Sequence, residues 1–329
     1  MLLPHINEEM LEQFFSDDDT RRSLTEIGVD SAIAVPLDGR EMRVGSMVLI
    51  NRATSPVLGE QELAIAVEVG RRVGIALETL HLYSRQRALA TELQHSMLTE
   101  PPSPAHAEIA VRYLPASHEA QVGGDWYDAY LQPDGSIVLT IGDVVGHDYR
   151  AAAAMGQLRG LLRGIGYARG RGPAAMLRSL DAAIEGLLPG TTATSVVAHI
   201  AAPPTPYGGQ PLLVRWRNAG HPPPIVLPRS GDPVVLFSDD PDVLLGVVPE
   251  VARGESRTEI VPGDTLLLYS DGLIERRGRD LDEGLSDLQQ AVSEAATMSL
   301  SALCDHVLAR LVQSEHDDDV ALVALRLRD

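Results

Sequence analysis

Four aspartate-bearing motifs in this chain have the composition for hard-metal chemistry: GGDWYD (123–128), IGDVVGHD (141–148), YSDGLIE (269–275) and HDDDVAL (316–322). In each, an aspartate stands at or beside the end of an apolar or β-prone run. Mg²⁺ and Mn²⁺ take oxygen ligands, and a two-metal site needs several carboxylates converging from separate chain segments. Strand ends held by glycine-bounded turns can deliver them, so the pattern implies a di-metal hydrolase acting on a phosphate ester. Taken singly, each motif also has an ordinary explanation. Gly-Gly and Asp-Gly are turn dipeptides, and an acidic triplet can be a solvated loop. The weight lies in the four together.

The run SIVLTI predicts a strand that ends at Asp143, with Gly146 allowing a tight turn. Asp148 stands before the alanine-rich segment YRAAAAMGQLRGLLR, where a short carboxylate serves as a helix N-cap, so it is not needed as a ligand. Asp125 follows two glycines, and Asp271 follows the apolar run TLLLYS. Asp317, Asp318 and Asp319 repel one another unless they are solvated or neutralised by a cation. No Ser/His/Asp or Cys/His constellation stands out. His199, in TSVVAHI, reads as a core or edge histidine, and Asn218 and His221 read as parts of a Pro-rich turn. His147 reads as a structural hydrogen-bonding residue.

Positioning these residues requires real sheets, and 329 residues with 44% hydrophobic content give room for one large domain and a smaller one. The net charge of −19 argues against a nucleic-acid backbone or an anionic membrane as partner. Bound cations would explain how an acidic chain attracts a phosphate ester. The single cysteine, Cys304, excludes an intrachain disulfide framework and a cysteine-rich zinc site, and its helical context SALCDHVLARLV marks it as a core thiol. With no secretory signal pattern and no apolar run of membrane length, the expectation is a soluble, cytoplasmic protein.

Strand-like runs occur at 31–37 and 44–52 and then, beyond Pro104, at 108–116, 136–143, 194–200, 211–219, 264–271 and 319–327. Helical stretches fall at 149–165, 173–188, 281–295 and 299–314. Clustered strands and paired helices favour an α+β fold with antiparallel sheets over a doubly wound parallel one. Between Gly59 and Leu98 the spacing predicts a long helix. On it Val69, Val73, Ala76, Leu80, Tyr83, Arg87, Ala90, Gln94 and Met97 form an interrupted heptad seam that stops at Pro101-Pro102. That seam is read as a homodimer through a linker helix, with a helix packed along its own domain as the alternative.

GGDWYD, GDVVGH, NAGHPPP, LYSDGLIERRG and DDDVALVALRL resemble, in unbroken order over about 105–329, the signature blocks of SpoIIE/RsbU-type serine phosphatases. These belong to the metal-dependent superfamily that includes protein phosphatase type 2C. The resemblance implies an α-β-β-α sandwich of two antiparallel sheets flanked by helices, over residues 101–329. It implies two or more Mn²⁺ or Mg²⁺ ions, with Asp143 bridging, the Val144 carbonyl on the first, Asp271 and Asp318 on the second, and Asp125 on the first-metal side. Hydrolysis would then use metal-activated water, and the implied substrate is a phosphorylated STAS-domain anti-anti-sigma protein in a partner-switching pathway. Two positions depart from the family pattern. Asp148 stands where many relatives have glycine, and Val145 stands where type 2C enzymes have a histidine. Residues 1–80 resemble the closing half of a GAF domain, with 60–100 as its final helix and linker. The competing expectation is a silent sensor or scaffold that binds the same partner without turnover.

Overall fold

The runs IVLTIGDV, ATSVVAHI and LLVRWRNA are buried along nearly their whole length, as strands are when a second sheet covers one face and helices the other. A computed structural model describes every residue except 15–16, 98, 117–122, 147–148, 170–171, 205–206, 239–242, 249–250, 276–279, 313–315, 317 and 329. The chain forms two compact units, Met1–Ala88 and Leu89–Asp329.

The first unit contains β1 (Leu2–Leu3), α1 (Glu8–Phe14), α2 (Asp18–Ile27), β2 (Val29–Asp38), β3 (Arg43–Arg52) and the first part of α3 (Glu60–Met97). Its strands make one antiparallel sheet in the order β1-β2-β3. The small residues Gly70 and Gly74 let α3 lie directly on Val35, Pro36 and the Asp38 backbone, where a Cβ would have no room. The Glu78 carboxylate then accepts the amides of Arg40, Glu41 and Met42 at 2.5, 3.0 and 3.1 Å, fixing the β2–β3 turn to the helix. Val69, Leu80 and Tyr83 of the heptad seam stay 41%, 65% and 60% exposed, because the small-residue face is the one that packs.

The second unit continues with β4 (Ala107–Leu114), β5 (Asp125–Leu131), β6 (Ile137–Val144), α4 (Tyr149–Arg169), α5 (Pro173–Leu187), β7 (Ala193–Ile200), β8 (Leu212–Ala219), β9 (Ile225–Leu227) and β10 (Val234–Val235). It ends with β11 (Ser256–Ile260), β12 (Thr265–Tyr269), a 3₁₀ turn at Asp271–Leu273, α6 (Leu281–Glu294), α7 (Leu300–Leu311) and β13 (Val320–Leu327). Two five-stranded antiparallel sheets result, β10-β9-β12-β13-β4 and β11-β8-β7-β6-β5. Alternation along each strand sorts the side chains. Ile137, Leu139 and Ile141 meet Leu266, Leu268, Val323 and Leu325 between the sheets. The intervening Val138 and Val144 face Met155, Leu158 and Leu177 of α4 and α5. On the far side, α6 and α7 cover the other sheet with Leu288, Leu303, Cys304 and Val307. The architecture is therefore an α-β-β-α sandwich.

Strand and helix positions expected from sequence lie within a few residues of the observed ones. The observed α1, α2, β5, β9, β10 and β11 lie outside those expectations; of these β5 matters most to the site, because Asp125 opens it and the segment runs buried almost to Leu131. Among the described residues, no helix is long and apolar enough to cross a membrane.

Candidate metal centre

The same alternation that fills the inter-sheet core aims the aspartates. Tyr127 and Ala129 of β5 face the core, so Asp125 faces it too, at the strand's first residue. Ile137, Leu139 and Ile141 set the same phase for Asp143 near the end of β6. Asp125 and Asp143 are direct partners in the antiparallel register, which places their side chains side by side on one face. The third carboxylate comes from the opposite sheet, where Asp271 starts the 3₁₀ turn that follows β12. Carboxylate oxygens of Asp125, Asp143 and Asp271 all lie within 4.8 Å of one another. The centre thus sits where the inter-sheet seam opens at one end of the sandwich.

Glycines explain the close approach. A Cβ on Gly124 would strike the Val144 carbonyl and, at 2.5 Å, an Asp143 carboxylate oxygen. The Val144 amide donates to the Gly124 carbonyl at 3.1 Å, closing β5 onto β6 beyond the ladder. A Cβ on Gly123 would run into the Asp319 carboxylate, and one on Gly272 into the Asp319 carbonyl. These glycines are walls of the site, needed for space rather than for positive φ.

Three carboxylates so close cannot all ionise cheaply. Burial, then the charges of Asp143 and Asp271, hold the Asp125 carboxyl well above its ordinary range. Burial, then Asp271, Asp318 and Asp319, push Asp143 up to about 8. Burial raises Asp271 as well. Asp125 is 2% exposed, and its Oδ2 has no hydrogen-bond partner. A buried carboxylate oxygen without a donor, facing two further carboxylates, fits a hard divalent cation and is otherwise costly.

Asp318 is exposed and lies outside the group of three, although its charge reaches Asp143. Its Oδ1 accepts the amide of Asp319 at 2.8 Å, and its Cβ flanks the position of Gly272 beside Asp271. Val144 is buried, with its carbonyl turned to Gly124. His147, Asp148 and Asp317 lie outside the described residues.

Asn218 and His221 build a turn: the Asn218 amide donates to the His221 carbonyl at 2.6 Å, and the His221 amide donates to Asn218 Oδ1 at 2.8 Å. His221 Nδ1 lies 2.7 Å from Thr194 Oγ1, and burial lowers the imidazole to about 3, so it is neutral. His199 is a buried strand histidine with Nδ1 3.3 Å from Arg215. Cys304 is buried in α7, where desolvation pushes the thiol up to about 11. Sequence reasoning did not single out Tyr113 or Asp319, which is 1% exposed and accepts the Tyr113 hydroxyl. It also passed over Asp128, fully buried in β5, which accepts Arg159 and Arg163 at 3.2 and 2.8 Å and Thr99 at 3.1 Å.

Two facing antiparallel sheets, two helices on each outer side and a carboxylate cluster at the seam define a SpoIIE/PP2C-type phosphatase domain. Solved relatives agree in fold. The RsbU and RsbW domains of Rv1364c from Mycobacterium tuberculosis align with a TM-score of 0.62 and 30% identity, over 70% of this chain and 62% of that one. The PP2C domain of SiaA from Pseudomonas aeruginosa aligns with a TM-score of 0.60 and 18% identity, over 77% of this chain and 98% of that one. The chain belongs to the stage II sporulation protein E (SpoIIE) family, whose profile matches residues 133–328. It is also similar to the phosphoserine phosphatase RsbU of Bacillus subtilis (strain 168), with 23% identity over 242 residues that cover 72% of this chain and 69% of RsbU.

Proposed function

We propose that this chain is a metal-dependent serine/threonine phosphoprotein phosphatase. Its substrate is a phosphorylated STAS-domain anti-anti-sigma protein in a partner-switching pathway. One observation carries the reading: Asp125, Asp143 and Asp271 converge within 4.8 Å, with the buried Asp125 Oδ2 left without a donor. That donor set suits Mn²⁺ or Mg²⁺, two or more ions, held by Asp125, Asp143 and Asp271 with Asp318 at the rim and the Val144 carbonyl beside Gly124. Bound there, such ions would supply an acidified water and positive charge for the phosphoryl oxygens. The chain's own residues do the positioning. The β5–β6 register fixes Asp125 against Asp143, and the 3₁₀ turn presents Asp271 from the other sheet. The neutral, buried His221 and the inert Cys304 thiol leave acid–base or thiol catalysis unsupported at those positions. Similarity to RsbU and to a chain with RsbU and RsbW domains supports the partner-switching substrate.

Hydrolysis of p-nitrophenyl phosphate and of a phosphoserine STAS protein is expected with Mn²⁺ and lost with EDTA or in Asp143→Ala. Turnover that survives either treatment sinks the metal mechanism, and an inert unaltered chain with Mn²⁺ favours the scaffold reading. The first unit is read as a partial GAF-like sensor segment, and α3 as a homodimer helix, supported by the exposed Val69, Leu80 and Tyr83 opposite its packed glycines. Light scattering is expected to give a dimer for the full chain and a monomer for Leu80→Glu. Monomers in both cases refute the dimer helix.

A further inference from the structure

The carboxylate that links the pieces of the centre is one that belongs to none of the three grouped ligands. Asp319 is 1% exposed, just ahead of β13, and the phase set by Ala321, Val323 and Leu325 turns it toward the inter-sheet seam. Its oxygens are engaged by the protein: the Tyr113 hydroxyl donates to Oδ2, and the Ala116 amide donates to Oδ1 at 2.9 Å. Tyr113 reaches it from β4, where it is the register partner of Ala321. Gly123 lies closest to the same Oδ2, with no room for a Cβ between them. The main chain of Asp319 touches the remaining motifs. Its carbonyl backs Gly272, next to Asp271, and its amide donates to Asp318 Oδ1.

We propose that Asp319, held by Tyr113, is a positioning residue for the metal centre, fixing Gly123 and so setting Asp125 against Asp143. The inference rests on the metal-phosphatase reading and extends it to two residues that hold no ion themselves. In general, removing the hydrogen-bonding support behind a metal site lowers metal affinity roughly 10–100-fold even when every ligand is kept. A staple for the fold alone would change thermal stability and leave metal affinity per folded molecule untouched.

The test is Mn²⁺ titration by calorimetry on the full chain with its native fold checked by circular dichroism, using Tyr113→Phe, Asp319→Ala and Asp319→Asn. Asparagine keeps an acceptor for the Ala116 amide, and the tyrosine hydroxyl can rotate to accept from its NH₂. Tyr113→Phe and Asp319→Ala are expected to weaken Mn²⁺ binding by about tenfold or more, with Asp319→Asn recovering most of that loss. If Asp319→Ala does not fold, the contrast between Tyr113→Phe and Asp319→Asn decides. Asparagine as weak as the other two would make Asp319 a mere charge, and Tyr113→Phe with unaltered affinity would make the pair a staple. Either result overturns the proposal. An unaltered chain that takes up no Mn²⁺ is a different failure, of the metal-centre reading itself and of this inference with it.

Discussion

Replacing Asp143 with asparagine should stabilise the metal-free protein, and more so as pH rises. Folding lifts this carboxyl from an ordinary 3.8 to about 8, through burial first and the neighbouring carboxylates next. A raised acid pKa means the folded state prefers the protonated form. The resulting cost is absent below the unfolded pKa, grows as pH rises toward 8 and is constant above it. At about 1.4 kcal/mol per pH unit, the cost grows by on the order of 4 kcal/mol between pH 5 and pH 8. Asp125 relaxes when Asp143 is neutral, so part of that gain is shared with it, and solvent at the seam's mouth screens another part. Even a quarter of it would raise Tm by about 2–4 °C in a unit of this size. Trp126 and Trp216 are the two tryptophans, both buried in the second unit, so selectively excited tryptophan fluorescence reports that unit alone. EDTA-treated Asp143→Asn should melt above the unaltered chain at pH 8, and the two curves should approach each other at pH 5. With Mn²⁺ at 100 times its Kd the gap should close by roughly 2.7 kcal/mol, because only the unaltered chain gains that binding linkage. Equal or lower stability of the metal-free asparagine variant at pH 8 would refute the account of a strained carboxylate cluster.

Gly124→Ala places a methyl against the Val144 carbonyl and an Asp143 oxygen, so it should cost about 1–3 kcal/mol and weaken Mn²⁺ binding in calorimetry. Unaltered Mn²⁺ affinity would show that β5 and β6 can part without disturbing the site. Asp128→Ala leaves Arg159 buried without its anion and should cost about 3–5 kcal/mol in urea unfolding. A cost under about 1 kcal/mol would mean that Thr99 and the Tyr127 carbonyl suffice for that guanidinium.

Much of the fold was legible because its strands are long apolar runs bounded by Gly, Pro and Asp. The paired helices fell within three or four residues of their expected ends, since helical periodicity is a local signal. β5 was not legible as a strand, because Gly123-Gly124 reads locally as a turn. The glycines serve long-range contacts with Val144 and Asp319 that no local rule contains. The acidic triplet shows the same limit more sharply. Which of its members turns inward depends on the phase of β13, and VALVALRL is buried on both faces, so its sequence carries no alternation to read. The Tyr113–Asp319 contact joins residues 206 apart and exists only through the β4–β13 register.

That register also explains why a chain with a net charge of −19 concentrates further negative charge at one buried point. Packing of Ile141, Tyr127 and Val323 between the sheets fixes the phase of β5, β6 and β13, and the phase leaves Asp125, Asp143 and Asp319 no outward alternative short of losing the core. Hydrophobic burial along three strands therefore opposes the carboxylate repulsion at their ends. Asp319 is relieved by a hydroxyl and an amide, whereas Asp125 Oδ2 has no such donor. The unrelieved part of the cluster is the part a cation can relieve, so metal occupancy and stability of the second unit should rise and fall together.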